Sequence, residues 1–268
     1  MIDIRSGVVV GVVNVTPDSF SDGGEFLERR KAIGRGVEMM GQGADLIDVG
    51  GESTRPGAEP VPEAEELRRL MPVVDGLVAE GVPVSIDTYK PGVARRALDS
   101  GASVVNDVTG FRNPEMVETV AGSECGVVAM HMQGTPLDMH LDPSYEDVVE
   151  EVRSYLVETA TKLAGAGIAR ERIAIDPGIG FGKRGAHSLA LLARLDVLAE
   201  TGLPVMVGTS RKGFLGRIVE ADDRDSLDRA TAVTTALAYT LGARLFRVHD
   251  VPKTRDALRV AGAIVTNQ

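Results

Sequence analysis

The chain has 268 residues, 43% of them hydrophobic and 25% charged, a balance that excludes a disordered protein and is long enough to bury a full core. Its net charge of −10 argues against a broad basic face for nucleic acid, though not against a local anion pocket. The one cysteine, Cys125, cannot close an intramolecular disulfide, which fits a reducing cytoplasm.

Along the chain, apolar runs of strand length recur at residues 8–13, 46–49, 82–86, 104–105, 127–130, 173–175, 205–207 and 245–248. The first of these is far too short to cross a bilayer, and no secretion signal or membrane partner is expected. Unbroken apolar runs suggest strands covered on both faces, as in parallel sheets. Between them lie helical stripes. Leu67, Leu70, Met71, Val74, Leu77 and Val78 form one, and Pro72 inside it is expected to kink or split the helix. Val148, Val149, Val152, Leu156 and Leu163 form a second stripe, and Leu227, Ala230, Val233, Leu237 and Leu241 a third. Asp250 and Pro252 read as the start of a last helix. Gly43, Gly81, Gly101, Gly126, Gly167, Gly202 and Gly242 fall at the helix-to-strand junctions, where a left-handed C-cap favours glycine.

Eight alternations of strand and helix predict an α/β fold, a single (β/α)₈ barrel spanning residues 1–268, with long mobile loops at the C-terminal face of the strands. A doubly wound open sheet fits the same alternation. The strand ends carry the polar residues: Asn14, Asp48, Asp87, Asn106 with Asp107, His131, Asp176, Ser210 to Lys212, and Arg247 with His249. In a barrel all of these meet on one face, the face that hosts active sites. Asp87, Asn106 and Asp176 suit a ring bearing N–H donors and acceptors. Arg55, Lys212, Arg247, His249 and Asn14 suit a phosphate or carboxylate. The pair of sets points to a polar heterocycle with an anionic tail. Gly178-Ile179-Gly180-Phe181-Gly182 follows a strand, but Lys183 stands at the third glycine position of a dinucleotide fingerprint, and there is no P-loop.

Two long motifs are more specific. Asn14-Val15-Thr16-Pro17-Asp18-Ser19-Phe20-Ser21-Asp22-Gly23-Gly24 and Asp48-Val49-Gly50-Gly51-Glu52-Ser53-Thr54-Arg55-Pro56-Gly57 resemble the two signatures of the dihydropteroate synthase family. Ser85 to Thr88, Asn106-Asp107, Met130 to Pro136, Asp176 to Lys183, Ser210 to Lys212 and Arg247 to Asp250 continue the resemblance in family order over the whole chain.

The resemblance implies a transferase of folate biosynthesis that joins 4-aminobenzoate to 6-hydroxymethyl-7,8-dihydropterin diphosphate and releases diphosphate, through a cation-like pterin methylene. It implies that Asp87, Asn106, Asp176 and Lys212 bind the pterin. Asn14, Arg55, Arg247 and His249 would hold the diphosphate, with Asn14 also a ligand of Mg²⁺. Thr54, Pro56, Phe181, Ser210 and Lys212 would shape the aminobenzoate site, and the loops carrying Asp18 and Thr54 to Arg55 would close over the complex. Asp87, Asp176, Lys212, Arg247 and His249 are the expected catalytic set. A cytoplasmic homodimer is expected on the same ground. A corrinoid methyltransferase of the related pterin-binding barrels and a non-catalytic pterin-binding paralogue are the alternatives.

Overall fold

The computed structural model describes residue 4 and residues 6–15, 24–53 and 57–266. Within them lie eight strands, β1 (Val8–Asn14), β2 (Leu46–Gly50), β3 (Val84–Asp87), β4 (Val104–Asp107), β5 (Gly126–Met130), β6 (Ile173–Asp176), β7 (Met206–Val207) and β8 (Leu245–Val248). All pair in parallel, in the order β6-β5-β4-β3-β2-β1-β8-β7. The remaining seam is closed by a parallel bridge from Ile175 to Val205, with the Ile175 N–H donating to Pro204 O at 2.9 Å. The result is the eight-stranded barrel, and the open sheet is excluded.

Ten helices surround it: α1 (Gly24–Gly41), α2 (Glu63–Ala79), α3 (Pro91–Asp99), α4 (Pro114–Ala121), α5 (Val148–Gly165), α6 (Gly185–Ala193), α7 (Leu195–Ala199), α8 (Gly213–Val219), α9 (Arg224–Thr240) and α10 (Val251–Val265). The stripe on α5 is buried throughout, and α10 starts on Asp250, whose side chain accepts from Lys253 N. Helix α2 runs unbroken through Pro72. The lost backbone bond is offset by the burial of Leu70, Met71, Val73, Val74 and Leu77 around it, each fully buried aliphatic side chain contributing about 1.5–3 kcal/mol. Six of the seven junction glycines hold a positive φ; Gly126 does not, and opens β5 instead.

Two-residue alternation along the strands explains both the core and the site. Val9, Ile47, Ile86, Val105, Val127, Ile175, Val205 and Phe246 point out toward the helices and join the main core. The alternate residues face the barrel axis. Val8, Val10, Leu46, Val104 and Leu245 pack together there, as do Val128, Ala174 and Met206. One step further toward the C-terminal end of four strands, the same inward column becomes polar: Asp48 above Leu46, Asn106 above Val104, Asp176 above Ala174, Arg247 above Leu245. The apolar floor excludes water from below and leaves the polar layer facing one mouth.

One stripe is only partly where the sequence predicts: Ala230 is buried in the core and Leu241 packs against it. On α9, Val233 and Leu237 are 61% and 60% exposed, while Asp228, Thr231 and Thr235 are buried. Neighbouring α10 presents Val260 and Ile264, 62% and 56% exposed. The polar face of α9 is turned inward because the loop beneath it is polar, as described below.

Candidate active site

A cleft opens at the C-terminal mouth. Its walls include every described residue of the expected pterin set, Asp87, Asn106, Asp176 and Lys212, together with Arg247, His249, Phe181 and Ser210. Val12, Val108, Met130 and Ile179 supply apolar surface. A slot with flat apolar sides and polar groups at its base suits a planar heterocycle.

The centre of the polar layer is Arg247. Its Nε donates to Asp48 Oδ2 at 2.6 Å and its Nη2 to Asp87 Oδ2 at 2.6 Å. Asn106 Nδ2 also donates to Asp48 Oδ2, at 3.3 Å. Asp48 is the functional residue to which the sequence reading gives no role. It is fully buried, and it ties three strands together through Arg247 and Asn106. Its sequence signal was its place two residues after Leu46 on the same inward face. Burial, with Asp48 and other carboxylates nearby, pushes the Asp87 carboxyl up against the pull of Arg247. Asn106 Oδ1 and Asp48 Oδ1 are buried without a partner, a state that costs free energy until a donor arrives.

Asp176 is held by its own loop. Gly178 N donates to Asp176 Oδ1 at 2.6 Å. Gly178 takes φ +65°, and a Cβ there would lie 2.0 Å from His131 O, so the position requires glycine for both reasons. Gly182, at φ +58°, is pressed as closely on Gln133. The glycines of this segment therefore fit a tight loop over the barrel rim, not a dinucleotide. Burial raises the Asp176 carboxyl to about 6. Lys212 lies over the Phe181 ring, its Nζ 4.0 Å from the centroid, an arrangement that stabilises a cation. Burial and Arg247 bring Lys212 down to about 8.

His249 and Ser210 form a pair. Ser210 Oγ accepts the His249 backbone N–H at 3.1 Å and lies 2.9 Å from Nδ1. The hydroxyl oxygen can accept a second bond or donate its own proton, so either neutral tautomer of the ring makes this contact. Burial and the flanking arginines lower His249 to about 4. His249 is thus a neutral hydrogen-bonding group rather than a standing cation.

Asn14 ends β1 on the exposed rim, two residues after the cleft-lining Val12 and on the same strand face. Its amide oxygen is a hard donor. Among the described residues no group of three His, Cys, Asp or Glu side chains is placed to hold a metal, so the donor set fits an ion that takes most of its ligands from phosphate oxygens and water. Thr54, Arg55 and Pro56, and the loop with Asp18, lie outside the described residues.

Two polar strand ends serve the fold and not the cleft. Asp107 accepts from Thr109 N, Thr109 Oγ1 and Phe111 N. His131 is buried beside Lys183, whose Nζ lies 2.8 Å from Nδ1, and packs edge-on to Tyr155.

The chain as a whole belongs to a known class. The pterin binding enzyme family model matches residues 10–249, and the chain belongs to that family, in its dihydropteroate synthase branch. It is similar to the dihydropteroate synthase of Mycobacterium leprae, with 47% identity over 95% of this chain and 92% of the relative. The Escherichia coli dihydropteroate synthase is 41% identical over 99% of this chain and 94% of its own. A solved structure of Xanthomonas albilineans dihydropteroate synthase with 4-aminobenzoic acid superposes with a TM-score of 0.92 at 45% identity, covering 98% of this chain and 95% of the other. The same protein in complex with 7,8-dihydropteroate gives 0.88 at 42%, covering 98% and 95%.

Proposed function

We propose that this chain condenses 4-aminobenzoate with 6-hydroxymethyl-7,8-dihydropterin diphosphate by an SN1-like displacement at the pterin methylene. The observation that carries the reading is the ring of acceptors Asp87, Asn106 and Asp176, set beside Lys212, with Arg247 and His249 at the same mouth. The acceptors suit the N–H edge of a pterin, and the unpartnered Asn106 Oδ1 gains a donor when one binds. As the methylene–oxygen bond breaks, its electrons leave with the diphosphate, and positive charge spreads over the pterin. Asp176 and Asp87 stabilise that charge, while Arg247, Lys212 and His249 face the departing anion. The aniline nitrogen is neutral at pH 7. It needs no strong base before attack, and its proton leaves after the carbon–nitrogen bond forms. Phe181, Ser210 and Lys212, with Thr54 and Pro56, would form the aminobenzoate side, and Arg55 would join the diphosphate site. Asn14 would hold a Mg²⁺ ion, which would neutralise charge on the leaving group. Incubation with both substrates and Mg²⁺ should release diphosphate only when 4-aminobenzoate is present. Diphosphate release that ignores 4-aminobenzoate, or none at all, overturns the reading.

Ring binding should depend on pH through Asp176. The carboxyl is raised to about 6, and a ring donor needs it ionised. Affinity for 6-hydroxymethylpterin should be level above pH 7 and fall by up to about tenfold per unit as pH drops through 6. Calorimetry across this range checks it, and Asp176→Asn should remove that dependence.

The homodimer belongs to the same reading. Val233 and Leu237 of α9 and Val260 and Ile264 of α10 form an exposed apolar face, of the kind that a partner covers. Placing a charge there with Leu237→Glu should convert a dimer to a monomer in sedimentation velocity, with folding retained. A parent protein that is already monomeric at micromolar concentration removes the dimer from the reading. Among the described residues no helix is long and apolar enough to cross a membrane, and the buried free thiol of Cys125 supports a cytoplasmic enzyme.

A further inference from the structure

Ser210 and Lys212 both line the cleft, but Arg211 between them does not. Its side chain runs the other way, to α9. Nε donates to Asp228 Oδ1 at 2.8 Å and Nη2 to Asp228 Oδ2 at 2.8 Å. Asp228 is buried, so the fork is a two-bond grip on a carboxylate shielded from water, the geometry for which guanidinium is suited. The Arg211 backbone is left-handed, at φ +57°. A non-glycine residue keeps that conformation only where its surroundings hold it, and such residues cluster at functional sites.

Two further ties run from the same loop to the same helix face. Arg211 N donates to Thr231 Oγ1 at 3.3 Å, and the hydroxyls of Thr209 and Thr234 meet at 2.8 Å. Residues 228, 231 and 234 follow one another by three along α9, so all three ties come from one side of the helix. This is the polar part of the buried side of α9, which also buries Ala230, Ala238 and Tyr239. Its burial has a use: every tie ends on residues 209–211, directly before Lys212.

We infer that Arg211 and Asp228 are a positioning pair, which holds the left-handed turn that directs Ser210 and Lys212 into the cleft. The inference rests on the proposed reading of that cleft. Ser210 in turn fixes the imidazole of His249, and Lys212 lies over Phe181. The pair therefore sets three groups without touching substrate. Arg211 is the residue that joins the site to the outer helix layer, and Asp228 is its fixed point.

Three variants test the pair: Arg211→Ala, Arg211→Gly and Asp228→Asn. Alanine and glycine remove the same guanidinium, but only glycine accepts a left-handed φ without strain. Arg211→Ala should lower kcat/KM for 4-aminobenzoate by at least tenfold. Arg211→Gly should regain at least threefold over the alanine variant. Asp228→Asn keeps the shape, loses the charge, and should fall between the parent and Arg211→Ala. A second readout does not depend on turnover. The chain has four histidines, and the imidazole ¹⁵N resonances of His249 report the bond from Ser210. They should move toward an unbound tautomer mixture in Arg211→Ala and return toward the parent in Arg211→Gly. Parent-like rates and His249 resonances in Arg211→Ala overturn the positioning role, as do alanine and glycine variants that are equally impaired. If the parent makes no pteroate product, the reading of the cleft fails, and the His249 resonances alone decide whether the pair positions Ser210.

Discussion

Arg247→Met should lower the unfolding free energy by about 3–5 kcal/mol, the usual effect of stripping one partner from a buried ion pair. In a chain of this size that is a fall in melting temperature of about 10 °C. The side chain is 22% exposed, and its partners Asp48 and Asp87 are 1% and 11% exposed, so water cannot replace the lost guanidinium. Methionine fills the volume but leaves two carboxylates facing each other in the barrel. The deficit should depend on pH, and the sign follows from linkage. Without Arg247, the Asp87 carboxyl in the folded state is raised further above its unfolded value. The folded variant then binds more protons than the unfolded chain, and its stability falls as pH rises. The gap from the parent should be larger at pH 8 than at pH 5. Adding Asp48→Asn to Arg247→Met should recover part of the loss. Thermal unfolding of the parent, the single variant and the double variant measures all three. A deficit below about 1 kcal/mol, or one that does not change with pH, would show that Arg247 does not hold the layer together.

Arg247 also marks how far the sequence could be read. The barrel was legible because the strand runs, stripes and junction glycines repeat with a period the fold requires. The cleft was legible because polar side chains at the ends of parallel strands must share a mouth. What the strand ends do not reveal is partnership. Arg247 reads as a cation for an anion, and in the barrel it also holds Asp48 and Asp87 across β8, β2 and β3. Those pairings span 199 and 160 residues of chain, and no local pattern encodes them. His249 reads as a cation for the same reason, yet burial keeps it neutral. Helix α9 shows the opposite failure. Its apolar period is only partly buried: Ala230 joins the core and Leu241 packs on it, but Val233 and Leu237 face outward, because part of the buried side is engaged by the loop that ends in Lys212. A stripe tells which residues share a face and not which face the core takes. In the glycine-rich run that follows β6, the close approach of His131 O accounts for Gly178 and that of Gln133 O for Gly182.

Asp176→Asn should lower kcat/KM by about 10²–10³-fold, the scale of losing one preorganised electrostatic group, with little change in fold. The amide oxygen can still accept from Gly178 N, so the loop keeps its tie. What disappears is the negative charge beneath the pterin, and the new NH₂ group meets ring donors where an acceptor is needed. Both ground-state binding and the developing cation are affected, so KM for the pterin substrate should rise while kcat falls. Lys212→Met should be as severe but differ in kind. Methionine preserves the apolar stem against Phe181 and removes a charge that serves the departing anion, so kcat should carry most of the loss. In the proposed reaction the two groups flank one ring and act on the same charge separation. The double variant should therefore lose much less than the product of the single effects. Steady-state rates of the four proteins form a complete cycle. Either single variant within threefold of the parent would remove that residue from the reaction, and strict multiplicativity would show that Asp176 and Lys212 act on different steps.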